Sequence, residues 1–333
     1  MFIAHQFTAH EDHSANFAAI RTELFDAEGK PFTALLKDLR PDYPRVWRDI
    51  ALGYLGLVWT GAGTVWFAQF GLIGMIAAVL CGAAGFGFWI AYVQLFIHEG
   101  AHANLAKDRK TSDLLCDVLV GWMIGTSVRK YRKVHFEHHR AFGTRTDAEN
   151  TYFRPLDGAF IGKALTGWRV VEVLLARSRL TAPKAASKPE GAARDRLVLL
   201  GGITAHLAIL AALLLNGGPA AALAWVIGVG VVFPFLGALR QLLEHRSLEA
   251  RGAVDYREVD HGAHTRLFGT GPFARLFGAA GFNRHLLHHW EPSVSYTCFD
   301  QLEAVFERVG MGPAMDARRT TYGAAFRALY NRK

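Results

Sequence analysis

Residues 50–97 read IALGYLGLVWTGAGTVWFAQFGLIGMIAAVLCGAAGFGFWIAYVQLFI, 48 residues without one Asp, Glu, Lys or Arg. A hydrocarbon layer is roughly 30 Å thick and a helix rises about 1.5 Å per residue, so about 20 apolar residues cross it once. The stretch is long enough for two crossings with a reversal near Gln69–Gly74. A second uncharged stretch, Leu197–Leu239, runs for 43 residues and has its own turn signal at Asn216-Gly217-Gly218-Pro219. The reading is all-α: a polytopic membrane protein with four transmembrane helices in two hairpins.

All 37 Lys and Arg lie outside these two stretches: six in 1–49, 18 in 98–196 and 13 in 240–333. Two hairpins place those three segments on one side of the membrane, and their basic character makes that side cytoplasmic. The +8 net charge then belongs to a face beside anionic headgroups. No nucleic-acid recognition motif accompanies it. The expected divisions are a cytoplasmic segment 1–49, hairpin 50–97, cytoplasmic region 98–196, hairpin 197–239 and cytoplasmic region 240–333. Within these, Ala15–Phe25 reads as an amphipathic helix, Pro41–Pro44 as a turn, and Thr111–Gly125 as a helix too short to span. Residues 181–196 read as a flexible linker. Cys81, Cys116 and Cys298 have neither metal nor disulfide spacing and read as free thiols.

The 15 histidines are informative through their spacing. His98-Glu-Gly-Ala-His102 puts two imidazoles four residues apart where the first hairpin ends, on one helix face. His135-Phe-Glu-His138-His139 and His285-Leu-Leu-His288-His289 repeat one pattern, and on a helix all three rings of each point the same way. His245 stands at the end of the second hairpin. HEGAH also matches the zinc-protease HExxH, but a single zinc has no use for two further HxxHH clusters. The nine residues His98, His102, His135, His138, His139, His245, His285, His288 and His289 exceed what one ion takes. Divided over two ions they leave positions for oxygen. Clustered thiolates are absent, which argues against an iron–sulfur cluster.

Glu99, Glu137, Asp147, Glu149 and Glu244 lie close enough in sequence to orient those imidazoles by accepting their second N–H; solvated charge is the alternative reading of each. Gln241, one turn before His245, is placed to hold a water or reach a metal. His5, His10 and His13 read as part of a mobile N-terminus, His206 as a lone histidine within a span, and His261 and His264 as surface residues.

With its boxes HEGAH, HFEHH and HLLHH in that order, the chain resembles the membrane fatty acid desaturases over about residues 45–305. Asp147 after the second box, Glu244-His245 before the third, and Asn283 and Pro292 around it extend the match. The resemblance implies four membrane helices under a cytoplasmic helical cap, and a di-iron site of two Fe ions that uses O2 as oxidant. It implies His245 as the further ligand, and Gln241 where some members carry Asn. The substrate would be a membrane lipid or acyl chain. The electrons would come from a separate donor such as ferredoxin or a similar carrier. The composition hints at a bacterial inner membrane. A hydroxylase or carotenoid-type ketolase on the same site is the alternative. A metal-binding receptor or transporter is disfavoured, because only His206 lies inside a span.

Overall fold

The computed structural model describes residues 12–168 and 191–330, so His5, His10 and most of the 181–196 stretch lie outside the described residues. Among these the regular structure is helical, and pairing between extended segments is limited to isolated bridges.

Among the described residues three helices are long and apolar enough to cross a membrane: Tyr43–Phe67, Gly71–Ala101 and Ala192–His245, of 25, 31 and 54 residues. The first, α1 (Tyr43–Phe67), starts earlier than the uncharged stretch does. Asp42 accepts a hydrogen bond from Arg45 N at 3.1 Å and Pro44 sits in the first turn. A carboxylate cap and an N-terminal proline both favour initiation, which turns the expected Pro41–Pro44 bend into a helix start. The chain reverses at 68–70 and returns as α2 (Gly71–Gln94), which runs almost without a break into α3 (Phe96–Ala101).

The 54-residue run contains α6 (Ala192–Ile227) and α7 (Phe233–His245), and is not one straight rod. At Gly218 the backbone adopts φ 67° and ψ −166°, a conformation essentially restricted to glycine, and Pro219 follows. The run is therefore kinked at the expected Asn216–Pro219 signal, with 26 residues before Gly218 (192–217) and 27 after it (219–245). Between α6 and α7, Gly228–Val232 form a π-helical turn. Pro234 explains it, because its missing N–H cannot serve the carbonyl four residues back.

These helices pack through small residues. A Cβ on Gly87 would lie 2.4 Å from Val232, and one on Gly82 would lie 2.5 Å from Thr64. Close backbone approach of this kind is how apolar helices associate where lipid removes the usual hydrophobic drive. Their outward faces carry Trp59, Leu72, Ile73, Leu80, Leu197, Leu207 and Leu215, all largely exposed. Such a surface suits lipid, not water.

Beyond the apolar helices lie α4 (Arg109–Leu119), α5 (Val128–Ala141), α8 (His285–Trp290) and α9 (Phe299–Arg308). Helix α4 presents Leu114 and Val118 outward and buries Ser112, Cys116 and Asp117. This inverted amphipathicity fits a helix lying in the membrane interface. Asp117 accepts from Val128 N and from Arg194 Nε, both at 2.6 Å, and so ties α4 to α5 and to the start of α6.

Two expectations for the N-terminal segment need correction. The amphipathic helix shrinks to one turn, Phe17–Ile20, and His13 is buried in a fixed segment. Asp12 accepts from Thr265 N at 2.6 Å, and Phe17 stacks on Trp290 with ring centroids 5.5 Å apart. Aromatic burial against the third histidine box outweighs the polarity of this segment. The three cysteines are free, with Cys116 and Cys298 buried.

Candidate metal centre

Both long apolar runs end in histidine. Helix α3 delivers His98 and, at its cap, His102; α7 delivers His245. Helices α5 and α8 carry the two HxxHH boxes and lie across these ends.

The nine histidines form two adjoining groups. Group A is His98, His102, His135, His139 and His288; in group B His138, His245 and His289 converge, and His285 joins them through His245 and His289 while also facing Glu244. The expectation that each HxxHH box points one way is corrected here. At 100° per residue, i+4 lies about 40° to one side of i and i+3 about 60° to the other. His135 and His139 therefore enter group A and His138 enters group B. In the third box, His285 and His289 enter group B and His288 enters group A.

Within the groups the rings meet Nε2 to Nε2. His98–His288 and His139–His288 are 2.8 Å apart, His102–His135 3.0 Å and His135–His139 3.1 Å. In group B, His245–His285 are 3.1 Å apart and His285–His289 3.2 Å. What stands behind the rings fixes their tautomers. His138 Nδ1 donates to Asp147 at 2.8 Å, and His245 Nδ1 donates to the His264 carbonyl at 3.3 Å. Each then turns an Nε2 lone pair inward, and the His138 Nε2 is buried without a partner. An inward lone pair with no N–H to meet it, such as that of His138, is what a cation would satisfy. The donor set fits transition-metal ions held by neutral imidazole.

Burial, reinforced by neighbouring imidazoles, pushes the pKa of His139, His288 and His289 well below the usual histidine value. Burial does the same for His285. His138 differs: burial acts downward, but Glu149 and Asp147 outweigh it and raise its pKa. Phe142 packs 4.4 Å from His289 and 4.9 Å from His245, and Phe282 lies 4.7 Å from both His98 and His285, centroid to centroid. These rings keep water from the far side.

The surrounding polar residues divide. Asp147 is buried, and besides His138 it accepts from Tyr152 Oη at 2.5 Å. Glu149 lies 3.7 Å from His135 Nδ1, and Glu99 lies 3.9 Å from His98 Nδ1 while accepting from Ser295 at 2.8 Å. Glu244 is buried beside His245 and His285 and pairs with Arg240 at 3.1 Å. Gln241 turns to the second box: its Oε1 accepts from Thr151 N at 3.1 Å and its Nε2 donates to Glu149 at 3.3 Å. Glu137 does not join the site; it lies on the outer side of α5, paired with Arg140 at 2.6 Å. Asn283 anchors backbone instead, donating to the Gly269 carbonyl at 2.6 Å.

The surface reading of His261 and His264 is corrected as well. His261 is buried against Tyr152, Phe153 and Tyr256, and His264 supplies the carbonyl that orients His245. Arg266 caps the end of α7 by donating to the carbonyls of Leu243 at 2.8 Å and Arg246 at 2.6 Å. A cation at a helix C-terminus satisfies carbonyls that lack helical donors. Nothing in the charged sequence around these residues marks them as inward-facing. His206 stands apart, 3.0 Å from the Met123 carbonyl.

With this geometry in place, comparison gives a definite answer: residues 72–319 match the family model "Fatty acid desaturase". The chain belongs to the fatty acid desaturase family. No curated protein matches it. As a member of this family with long apolar helices, the protein is a membrane oxidoreductase of the desaturase type, acting on lipid. The two histidine groups lie within the matched residues and could bind metal.

Proposed function

We propose that this desaturase-family protein introduces a double bond into the acyl chain of a membrane lipid at a di-iron site. The observation that carries the reading is the interleaving of nine histidines into group A and group B, with His285 reaching group B through His245 and His289. His98, His102, His135, His139 and His288 would hold one iron; His138, His245, His285 and His289 would hold the other. Glu99, Asp147, Glu149 and Glu244 stand behind the rings, and Gln241 serves the site through Glu149 rather than as a ligand.

Bound iron supplies the one-electron chemistry that activates O2, which neutral imidazole and carboxylate cannot do alone. The overall balance is removal of two hydrogens from adjacent carbons, with O2, two electrons and two protons yielding two waters. The chain's own contribution is to fix ligands, exclude water and admit substrate. An apolar recess lined by Phe88, Tyr92, Leu236, Leu276 and Phe277 reaches Arg240, one turn before Glu244. The recess is narrow, about 10 Å³, so an alkyl chain approaching group B from the bilayer would have to part these side chains.

The bend at Gly218 supports four crossings, with the site and both termini on the basic, cytoplasmic side. The composition fits a bacterial inner membrane. A separate one-electron carrier such as a ferredoxin would supply the electrons.

Mass spectrometry of total lipids from cells expressing the wild type or a His138→Ala, His139→Ala variant tests the reading. Loss of two hydrogens from an acyl chain in the wild type alone is the expected result. Gain of one oxygen moves the protein to the hydroxylases, and no difference with iron and a competent donor present sinks the acyl-lipid assignment.

A further inference from the structure

Seven of the nine site histidines are buried, and the two that are half-exposed, His102 and His139, both belong to group A. Outside them stands Phe136, 42% exposed, from the middle of HFEHH. Its ring centroid lies 5.3 Å from that of His102 and 6.1 Å from that of His135. A large apolar side chain left exposed on a charged helix is unusual, and here its ring packs beside that of His102. Among the nine rings His102 and His139 are the least covered, so this is where the centre comes nearest to the molecular surface.

The residues around Phe136 carry positive charge. On the outward face of α5, Lys130, Lys133 and Arg140 are exposed, against one acid, Glu137. The loop after the first box adds exposed Lys107, Arg109 and Lys110, against Asp108. The two segments are held together from beneath. Arg132, on the buried side of α5, donates to the carbonyls of Gly100 at 2.9 Å and Ala101 at 2.6 Å and pairs with Asp113 of α4. The face is thus a fixed basic platform with an aromatic ring at the shallowest edge of the metal cluster.

We propose that this α5 face is the docking surface for an acidic one-electron carrier protein, and that electrons enter through the Phe136–His102 edge into group A before group B. The inference rests on the di-iron reading for its purpose, but carrier binding itself requires no iron. Each of two reduced carriers would give up one electron per turnover, supplying the two electrons of the overall balance. Complementary charge would steer the acidic partner and orient it, which makes the association salt-sensitive.

The test uses the full chain in nanodiscs and an oxidised plant-type [2Fe–2S] ferredoxin. Zero-length carbodiimide cross-linking, which joins carboxylates to amines, should map by peptide mass spectrometry to Lys130 and Lys133. A Lys133→Glu, Arg140→Glu variant should bind this ferredoxin about tenfold or more weakly at low salt, as reversed charges at a steering surface do. Its iron content and its reduction by dithionite should be unchanged. Phe136→Leu should bind the ferredoxin normally, yet accept electrons from its dithionite-reduced form more slowly in stopped flow. Cross-links on another surface, or ferredoxin binding that ignores the charge reversal, would overturn the docking surface. A protein that holds no iron would instead overturn the di-iron reading, while the binding result stands by itself.

Discussion

His138 and His139 are consecutive in the chain, yet their rings serve different groups. His139 Nε2 lies 2.8 Å from His288 Nε2 in group A, whereas His138 faces His245 and His289 in group B. Adjacent residues on a helix diverge by about 100°, and the two groups occupy the two directions. Alanine at either position should therefore remove a different ion. Elemental analysis of purified protein should show one iron where the wild type holds two, and Mössbauer spectra of the two variants should retain different components. Identical residual spectra would mean that the division into groups is wrong.

Asp147 links His138 Nδ1 to Tyr152 Oη. Asp147→Asn removes the charge that keeps the Nδ1 proton in place and leaves the fold's volume nearly unchanged. Metal affinity of group B should fall by about 10–100-fold, the usual cost of losing a carboxylate behind a ligand histidine. Competitive titration with a chromophoric chelator measures it. Tyr152→Phe should cost less, because Asp147 keeps His138.

Burial holds the pKa values of His139, His285, His288 and His289 well below the ordinary 6.5. Between each depressed value and 6.5, the unfolded chain binds a proton that the folded chain does not, so unfolding gains as pH falls. His138, with its raised pKa, acts in a different window: its contribution is complete below 6.5 and is lost as pH rises through its raised value. The metal-free protein should lose stability on acidification below pH 6.5, while above that value only the His138 contribution declines. Thermal unfolding in detergent across this range gives the slope, and a flat profile would contradict neutral buried rings.

Gly218 holds the backbone conformation that bends the long apolar run. Gly218→Ala should destabilise the protein by about 1–3 kcal/mol, the cost of forcing a side chain into that region. Gly217→Ala acts differently, because its Cβ would meet Ala221 at 2.6 Å rather than strain the dihedral angles. Steric-trapping measurements in bicelles separate the two, since adding Ala221→Gly relieves the Gly217→Ala clash and leaves the Gly218→Ala strain in place.

Sequence alone made the apolar runs, their turn signals and the nine histidines legible, because hydrocarbon thickness and helix periodicity act on the chain locally. The partition of the histidines was not legible. It depends on how α5 and α8 rotate against the ends of α3 and α7, which side-chain packing decides. Glu137 and Glu149 are both acids close to the second box, but Glu137 faces outward and Glu149 reaches His135. The orienting carbonyl of His264 carries no side-chain signature at all. His13 was misread because the polar N-terminal segment is held by partners far along the chain, Thr265 and Trp290.

The crossing of α8 between the two groups also sets an order of assembly. When synthesis has passed His139, the nascent chain already owns four of the five imidazoles of group A and one of the four of group B. Group B gains His245 only as the second apolar run ends, and its other two members arrive with α8. That helix brings the last member of group A at the same moment. Maturation of the two halves of the centre is thus coupled to a single late docking event, and translation halted before His285 yields a protein in which neither half is complete.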